Sequence, residues 1–451
     1  MKKIRIGSGA GFGGDRIEPA IDLIKRGNLD YIIFECLAER TISLAQKEKT
    51  RNPAKGYNEL FEYRMDKVLD ALKEEKVTVI TNMGAANPKA AALVCKEMAQ
   101  QKGFKKMKIA YVLGDDISKS VNNYLSCEVI ETKQKLKEIK DEIISANGYV
   151  GVRGIVDALK NNADIIITGR VADPSLVLAP LIYEFDWAMD EYDKLGRGTL
   201  IGHLLECAGQ VTGGYFANPP FCNVPDLWNL GFPFIDVDEN GDGLISKLDN
   251  TGGLVSEETV KQQILYEIQD PSTYFTPDVI ADFSKVEVEQ VEMNKVAVKN
   301  ASGRAPNGHF KTSVGYRDCY IGEGQISYGG ENALERARIA EGIIRKRLEV
   351  VDVKYSEINF EYIGYSSLFK KPLKEDTQPN EVRLRAAART EDVKNAKIIG
   401  NEVEALYTNG PYGGGGVRKE VVEVIGICSI LIPAENFDIS VGYEEVCNNE
   451  A

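Results

Sequence analysis

Five short polar or glycine-rich segments contain the residue types that acid–base chemistry and anion binding require, and each directly follows a predicted strand. The segments are GSGAGFGGDR, FECLAERT, TNMGAANP, GDD and TGRVADPS, and the strands are Lys3–Ile6, Tyr31–Phe34, Val77–Thr81, Lys108–Leu113 and Asp164–Thr168. Because the carboxyl ends of parallel strands lie at one edge of a sheet, we expect the segments to line one ligand site. Any single segment is also typical of a turn, so the prediction depends on the five together.

The candidate catalytic groups are two carboxylates and one His–Glu pair. Asp15 lies in the first segment and Glu35 in the second, whereas His203 and Glu206 are three residues apart in GHLLECAGQVTGGYF. On a helix this spacing brings the two side chains together. The carboxylate would then fix the tautomer of the imidazole and raise its pKa. A buried structural histidine is an equally good interpretation.

Small residues and amides are candidate substrate contacts. Gly11, Gly13 and Gly84 would allow backbone N–H groups to approach a carboxylate or carbonyl, and the amide of Asn82 would orient that group. Asn87 belongs to the same candidate set. It also suits the N-cap of a helix that begins with proline.

The fifth segment contains Arg170, whose guanidinium can hold a carboxylate with two parallel hydrogen bonds. Asp173 is a second candidate for substrate binding, although simple pairing with Arg170 is equally plausible. Later in the chain, GYRDCYIGEGQISYGG is predicted to place Arg317, Asp318 and Glu323 around a tight turn, and strands are predicted at Phe310–Tyr316 and Tyr320–Ser327.

The segment TNGPYGGGGVRK, residues 408–419, joins four consecutive glycines to two cations. Gly414, Gly415 and Arg418 are candidates for wrapping an anion with backbone amides while the cations neutralise its charge. A mobile surface loop is the alternative interpretation.

The first segment also satisfies the dinucleotide-binding fingerprint, with Gly9-x-Gly11-x-x-Gly14 followed by Glu35 after the next strand. Asp15 argues against a dinucleotide, because its carboxylate would repel a pyrophosphate at the start of the following helix. We predict instead that Asp15 is the N-cap of that helix. An NAD(P)-dependent oxidoreductase stays an alternative.

Metal and macromolecular ligands have weaker support. Asp115, Asp116 and Glu35 could hold a divalent cation, but we assign no metal ligand, and DENGDG is predicted to be a polar turn rather than a calcium loop. The net charge of −13 argues against nucleic-acid binding. Since the sequence has no apolar run of about 18 residues and no signal peptide, we expect a cytoplasmic protein that binds a small anionic substrate.

Alternation of strands and helices over the first 170 residues predicts right-handed crossovers and a parallel sheet. From Leu195 to Asn250, glycine, proline and aromatic residues predict a long ordered loop. Adjacent strands with fewer helices follow. We therefore predict an α/β domain at residues 1–275 and an α+β domain at residues 276–451.

The sequence resembles the acyclic terpene utilisation family, AtuA, from about residue 3 to residue 435. The resemblance lies in GAGFGGDR, FECLAERT, TNMGAANP, TGRVADPSL, GHLLECAGQVTGGYF, YFTPDVIADF, SVGYRD, GEGQISY, ALYTNGPYGGGG and LIPAENF. It implies a catabolic protein that acts on an acyl-CoA or a branched carboxylic acid, without an agreed set of catalytic residues. Some relatives have a further small C-terminal domain, so we expect a separate small subunit to replace it.

The resulting hypothesis is a lyase, catalysing hydration–dehydration or carbon–carbon cleavage of a hydroxyacyl-CoA or hydroxy-carboxylic acid. Asn82, Gly84 and Arg170 would hold the oxyanion or carboxylate, and His203, Glu35 or Asp15 would move the proton. A non-catalytic subunit of a catabolic complex is a further alternative. We also expect a homo-oligomer.

Overall fold

A computed structural model describes residues 2–371 and 378–447. Its strands are β1 Lys3–Ala10, β2 Tyr31–Phe34, β3 Thr78–Thr81, β4 Met107–Leu113, β5 Ile143–Gly148, β6 Ile165–Ile167, β7 Pro233–Asp238, β8 Gly243–Lys247, β9 Tyr274–Phe275, β10 Ile280–Asp282, β11 Glu287–Glu292, β12 Lys295–Lys299, β13 Ser302–Arg304, β14 His309–Gly329, β15 Glu357–Ile363, β16 Glu381–Thr390, β17 Gly415–Pro433 and β18 Ser440–Val446. Its α-helices are α1 Glu18–Arg26, α2 Glu39–Arg51, α3 Phe61–Ala71, α4 Pro88–Gln101, α5 Arg153–Lys160, α6 Ser175–Phe185, α7 Tyr192–Glu206, α8 Glu257–Leu265, α9 Ala333–Val350 and α10 Val393–Asn409.

A ten-stranded mixed sheet has the order β11-β12-β8-β7-β1-β2-β3-β6-β4-β18. The central strands β1, β2, β3, β6 and β4 are parallel to their neighbours within that group. Antiparallel strands extend the sheet on both sides, with β7 next to β1 and β18 next to β4. The predicted mixture of a parallel α/β sheet and antiparallel structure is confirmed.

The central strands are short apolar runs because helices cover both faces of the sheet. All residues of β2 and β6 are buried. The apolar stripe of α3, which includes Phe61, Met65 and Val68, packs into the same core as α1 and α4. This packing fixes the carboxyl ends of the parallel strands, where the five polar segments begin.

The chain divides into two compact units. The first contains Met1–Gly315 and Ile427–Ala451, and the second contains Tyr316–Gly426. In the second, β15, β16, β14 and β17 are neighbours in that order, and α9 and α10 pack on β16. The predicted boundary between residues 275 and 276 falls between β9 and β10, inside the first unit.

Several local predictions were wrong. Residues 309–329 form one continuous strand, so Arg317, Asp318 and Glu323 lie within β14 rather than around a tight turn. The predicted loop at Leu195–Asn250 contains most of α7 and the β7–β8 hairpin. Gly415 and Arg418 lie in β17, so this half of the glycine-rich segment is strand rather than loop.

The hairpin between β7 and β8 explains DENGDG, which forms the predicted polar turn. The Asp238 carboxylate accepts the backbone N–H groups of Asn240 and Asp242 at 2.9 and 3.1 Å. Within residues 2–371 and 378–447, no helix has both the length and the apolar character needed to cross a membrane.

Candidate functional site

Glu35 directly follows β2 and is held by two hydrogen bonds. Its Oε1 accepts the backbone N–H of Leu37 and the Nδ2–H of Asn82, both at 2.9 Å. The Oδ1 of Asn82, which follows the neighbouring strand β3, accepts the backbone N–H of Cys36 at 2.7 Å. The amide of Asn82 is therefore committed to positioning the segment that contains Glu35.

Burial favours the protonated form of Glu35. The side chain is only 9% exposed. Burial, assisted by the negative charge of Asp173 and opposed by Arg170, raises the pKa of Glu35 to about 8. A carboxyl group that stays protonated near neutrality can act as a general acid.

Arg170 follows β6 and connects the second and fifth segments. Its guanidinium is 1% exposed, donates to the backbone carbonyls of Leu37 and Val171, and forms an ion pair with Asp173. It also lies 4.4 Å from the ring centroid of Tyr149. Since buried cations need compensation, the ion pair explains how Arg170 is accommodated. The simple pairing considered from the sequence is thus present.

Asp173 interacts electrostatically both with Glu35 at the strand ends and with Glu206 on α7. Burial raises its pKa to about 7, while Arg170 acts in the opposite direction and the charge of Glu206 raises it further. The interaction with Glu206 also links the strand ends to the last turn of α7.

His203 and Glu206 form the predicted pair in that turn. His203 Nδ1 is 2.7 Å from Glu206 Oε1, and His203 is 1% exposed. Burial lowers the pKa of His203, but the charge and hydrogen bond of Glu206 outweigh it, so the pKa lies above its ordinary value. Within the described part of the chain, His203 Nε2 and Glu206 Oε2 are buried without hydrogen-bond partners.

We call Glu35, Asn82, Arg170, Asp173, His203 and Glu206 the acid–base cluster. Its members come from the ends of three parallel strands and from one helix, and hydrogen bonds or direct charge interactions connect them. Unpartnered buried polar atoms call for an explanation such as a bound ligand or water. The cluster therefore combines acids, a base and unsatisfied atoms in one place.

Gly11 lies against the end of α7. A Cβ added at Gly11 would be 2.4 Å from the carbonyl carbon of Cys207, so only glycine permits this approach. The prediction that Asp15 is an N-cap was wrong, because α1 begins at Glu18 and is preceded by Ile17. The carboxylate of Asp15 instead accepts the N–H groups of Gly11 and Arg16 at 3.0 and 2.9 Å. Those amides are donors that a dinucleotide pyrophosphate would require.

The other predicted contacts in the first and third segments have structural neighbours. A Cβ at Gly13 would lie 3.4 Å from the carbonyl oxygen of Cys36, and one at Gly84 would lie 2.5 Å from that of Thr168. Asn87 is the N-cap of α4, accepts the N–H of Ala90 at 3.4 Å and donates to two backbone carbonyls. Its side chain therefore has a structural role.

Four predicted binding residues belong to the second unit. Arg317 Nε is 3.5 Å from the Glu423 carboxylate. A Cβ added at Gly414 would lie 3.1 Å from the ring of Tyr328. Gly415 and Arg418 lie in the first four residues of β17. Their participation in substrate binding stays a prediction.

The carboxylates considered for a divalent cation have other partners. Asp115 is buried and accepts Asn147 Nδ2–H at 2.9 Å and Arg170 N–H at 3.0 Å. Asp116 is 3.7 Å from the Lys49 ammonium. Among residues 2–371 and 378–447, no group of three or more His, Cys, Asp or Glu side chains is arranged to hold a metal ion.

Comparison with known families decides the classification. The family model described as acyclic terpene utilisation family protein AtuA matches residues 4–443. The chain belongs to the AtuA family. No curated protein matches the sequence. Among solved structures, the de novo designed protein Foldit4 matches at 12% identity over 24% of this chain and 99% of its own, but its TM-score of 0.16 carries no structural argument.

Tyr274 is a further candidate site residue in this AtuA chain, and the sequence patterns did not identify it. Its ring centroid is 5.5 Å from that of His203, and Phe283 packs on the same imidazole at 6.0 Å. Burial and the charges of Glu206 and Asp173 hold the pKa of Tyr274 well above its ordinary value. The segment YFTPDVIADF contributes to the family resemblance, but no polar spacing within it indicated a site.

Proposed function

We propose that this AtuA-family protein is a lyase that adds water to, or removes it from, an acyl thioester or a branched hydroxy-carboxylic acid. The observation that carries the proposal is the buried, unpartnered Nε2 of His203 in the same cluster as a carboxyl group with a pKa of about 8. A dehydration requires a base and an acid within one site.

In the dehydration direction, His203 Nε2 removes the proton from the carbon next to the carbonyl group. The electron pair of that C–H bond forms the carbon–carbon double bond, and the bond to the hydroxyl oxygen breaks. Glu35 donates its proton to the leaving hydroxyl, which departs as water. Hydration is the reverse, and neither direction changes the oxidation state of the protein.

The remaining members of the cluster support these two groups. Glu206 accepts the Nδ1–H of His203, which directs Nε2 toward proton transfer and stabilises the imidazolium that forms. Asn82 fixes the orientation of Glu35, and Arg170 holds the carbonyl of Leu37 next to it. The positive charge of Arg170 is compensated by Asp173, so Arg170 acts by positioning the segment that contains Leu37.

The test is incubation of purified protein with CoA thioesters of branched 3-hydroxy acids, their 2,3-unsaturated counterparts and the free acids. We expect mass spectrometry to detect gain or loss of water, with oxygen-18 incorporated from labelled solvent. Glu35→Gln and His203→Asn should each reduce turnover by at least about 100-fold. Glu48→Gln, which changes an exposed carboxylate on α2, is the matched control.

Two results would contradict the proposal. One is unchanged turnover in both cluster variants. The other is formation of a shorter carbonyl compound and a second fragment without water exchange, which would indicate carbon–carbon cleavage instead.

A further inference from the structure

A cavity of about 300 Å³ in the first unit is lined by the beginning of α1 and by residues 228–232. None of the acid–base cluster residues lines it. Arg16 does, and Arg16 directly follows Asp15, whose carboxylate holds the N–H of Gly11. The segment from Gly11 to Arg16 therefore runs from the end of α7 to this cavity. The volume is in the range of small-molecule sites.

One wall of the cavity suits a planar aromatic group. Trp228 is 77% exposed although it lies in an ordered segment, and Leu230, Phe232 and Leu248 add apolar surface. A large exposed indole next to a concave apolar surface is unusual unless a ligand covers it. Planar heteroaromatic rings stack on such side chains.

The polar part of the lining contains both acceptors and a cation. Glu18 and Asp22 are four residues apart on α1, so both carboxylates lie on one helix face. Arg16 donates one hydrogen bond from Nη1 to the Trp228 carbonyl at 3.1 Å, and its other guanidinium N–H groups add further donors. A ligand must therefore supply hydrogen-bond donors on one side and negative charge on another.

This combination discriminates between ligand classes. A hydrocarbon chain would offer no hydrogen bond to Glu18, Asp22 or Arg16 and would shield them from water. Asp22 has an ion-pair partner of its own, because one of its carboxylate oxygens is 4.0 Å from Arg26. An organic cation would suit Trp228, Glu18 and Asp22 but would be repelled by Arg16. An amino-substituted purine nucleotide meets all three demands, since it has an aromatic face, an exocyclic amino group and a phosphate.

We propose that this cavity binds an adenine nucleotide, with the ring on Trp228, the amino group at Glu18 and Asp22, and a phosphate at Arg16. The inference that this nucleotide is the CoA end of the substrate rests on the proposed function. The nucleotide site itself rests on the cavity alone.

The protein offers its own reporter, because its two tryptophans are the buried Trp187 and the exposed Trp228. We would titrate full-length protein and a Trp187→Phe variant with adenosine 5′-monophosphate (AMP) and follow tryptophan fluorescence. Calorimetry on the unmodified protein gives the same affinity if the variant folds poorly. Inosine 5′-monophosphate (IMP), which has a carbonyl in place of the amino group, is the comparison ligand.

We expect saturable quenching by AMP and at least about tenfold weaker binding of IMP, the discrimination typical of one lost donor–acceptor contact. The double variant Glu18→Gln/Asp22→Asn should reduce that preference, Trp228→Leu should weaken both ligands, and Glu48→Gln should change neither. Equal affinities for AMP and IMP, or no saturable binding, would overturn the site. Saturable, amino-dependent AMP binding by protein that hydrates neither the thioesters nor the free acids would support the site and refute only the proposed function.

Discussion

Replacing Glu35 by glutamine should make the first unit more stable, and increasingly so as the pH rises. In the folded protein the pKa of Glu35 is about 8, compared with an ordinary value of 4.5. At pH values between these two pKa values, the folded state retains the Glu35 proton that the unfolded state has lost. The stability of the wild type therefore falls as pH increases. The slope for one proton is about 1.4 kcal/mol per pH unit.

Over the interval from pH 5 to pH 7, the stability of Glu35→Gln relative to wild type should therefore increase by about 3 kcal/mol. Glutamine keeps an acceptor for the N–H groups of Leu37 and Asn82 but carries no titratable proton. The assay is urea unfolding followed by tryptophan fluorescence, because Trp187 and Trp228 both lie in the first unit. Glu48→Gln is the control. A stability difference that is the same at pH 5 and pH 7 would refute the reasoning.

Two further substitutions test the packing and charge of the site. Gly11→Ala should destabilise the first unit by about 1–3 kcal/mol in thermal unfolding, because the new methyl group would overlap the backbone of Cys207. The control is Gly342→Ala in α9, where an added Cβ would have no described atom within 4 Å. This control should instead stabilise its helix by about 0.5–1 kcal/mol. Arg170→Met should cost about 3 kcal/mol in urea unfolding, because it leaves Asp173 without its cation; an unchanged midpoint would contradict this account of the ion pair.

The parallel core could be predicted from sequence because short apolar runs, and the polar segments that follow them, are visible as local sequence patterns. Strand β2 was predicted at its observed bounds, and the polar segments follow the parallel strands as expected. Once the strands are parallel, geometry places those segments at one edge. The proximity of Glu35, Asn82 and Arg170 thus follows from strand order rather than from any single motif.

Tertiary packing determined the elements that were missed. Helix α7 is rich in glycine, which normally disfavours helix, but a Cβ at Gly202 would lie 2.6 Å from the Cα of Pro174, so the glycine permits close contact with the residue before α6. Strand β14 pairs with β16 over Tyr320–Gly329 and also has β5 and β17 as neighbours, and these partners are distant in sequence from the Arg317 segment. Asp15 was mistaken for a cap because its bond to Gly11 depends on loop conformation.

The most direct test of the acid–base cluster is a crystal structure of the protein with a short branched 3-hydroxy acid. We expect the ligand hydroxyl to lie within hydrogen-bond reach of the Glu35 carboxyl group, about 2.6–3.2 Å, with the carbon that loses its proton facing His203 Nε2. A ligand bound clear of both side chains, with His203 Nε2 still unpartnered, would contradict it.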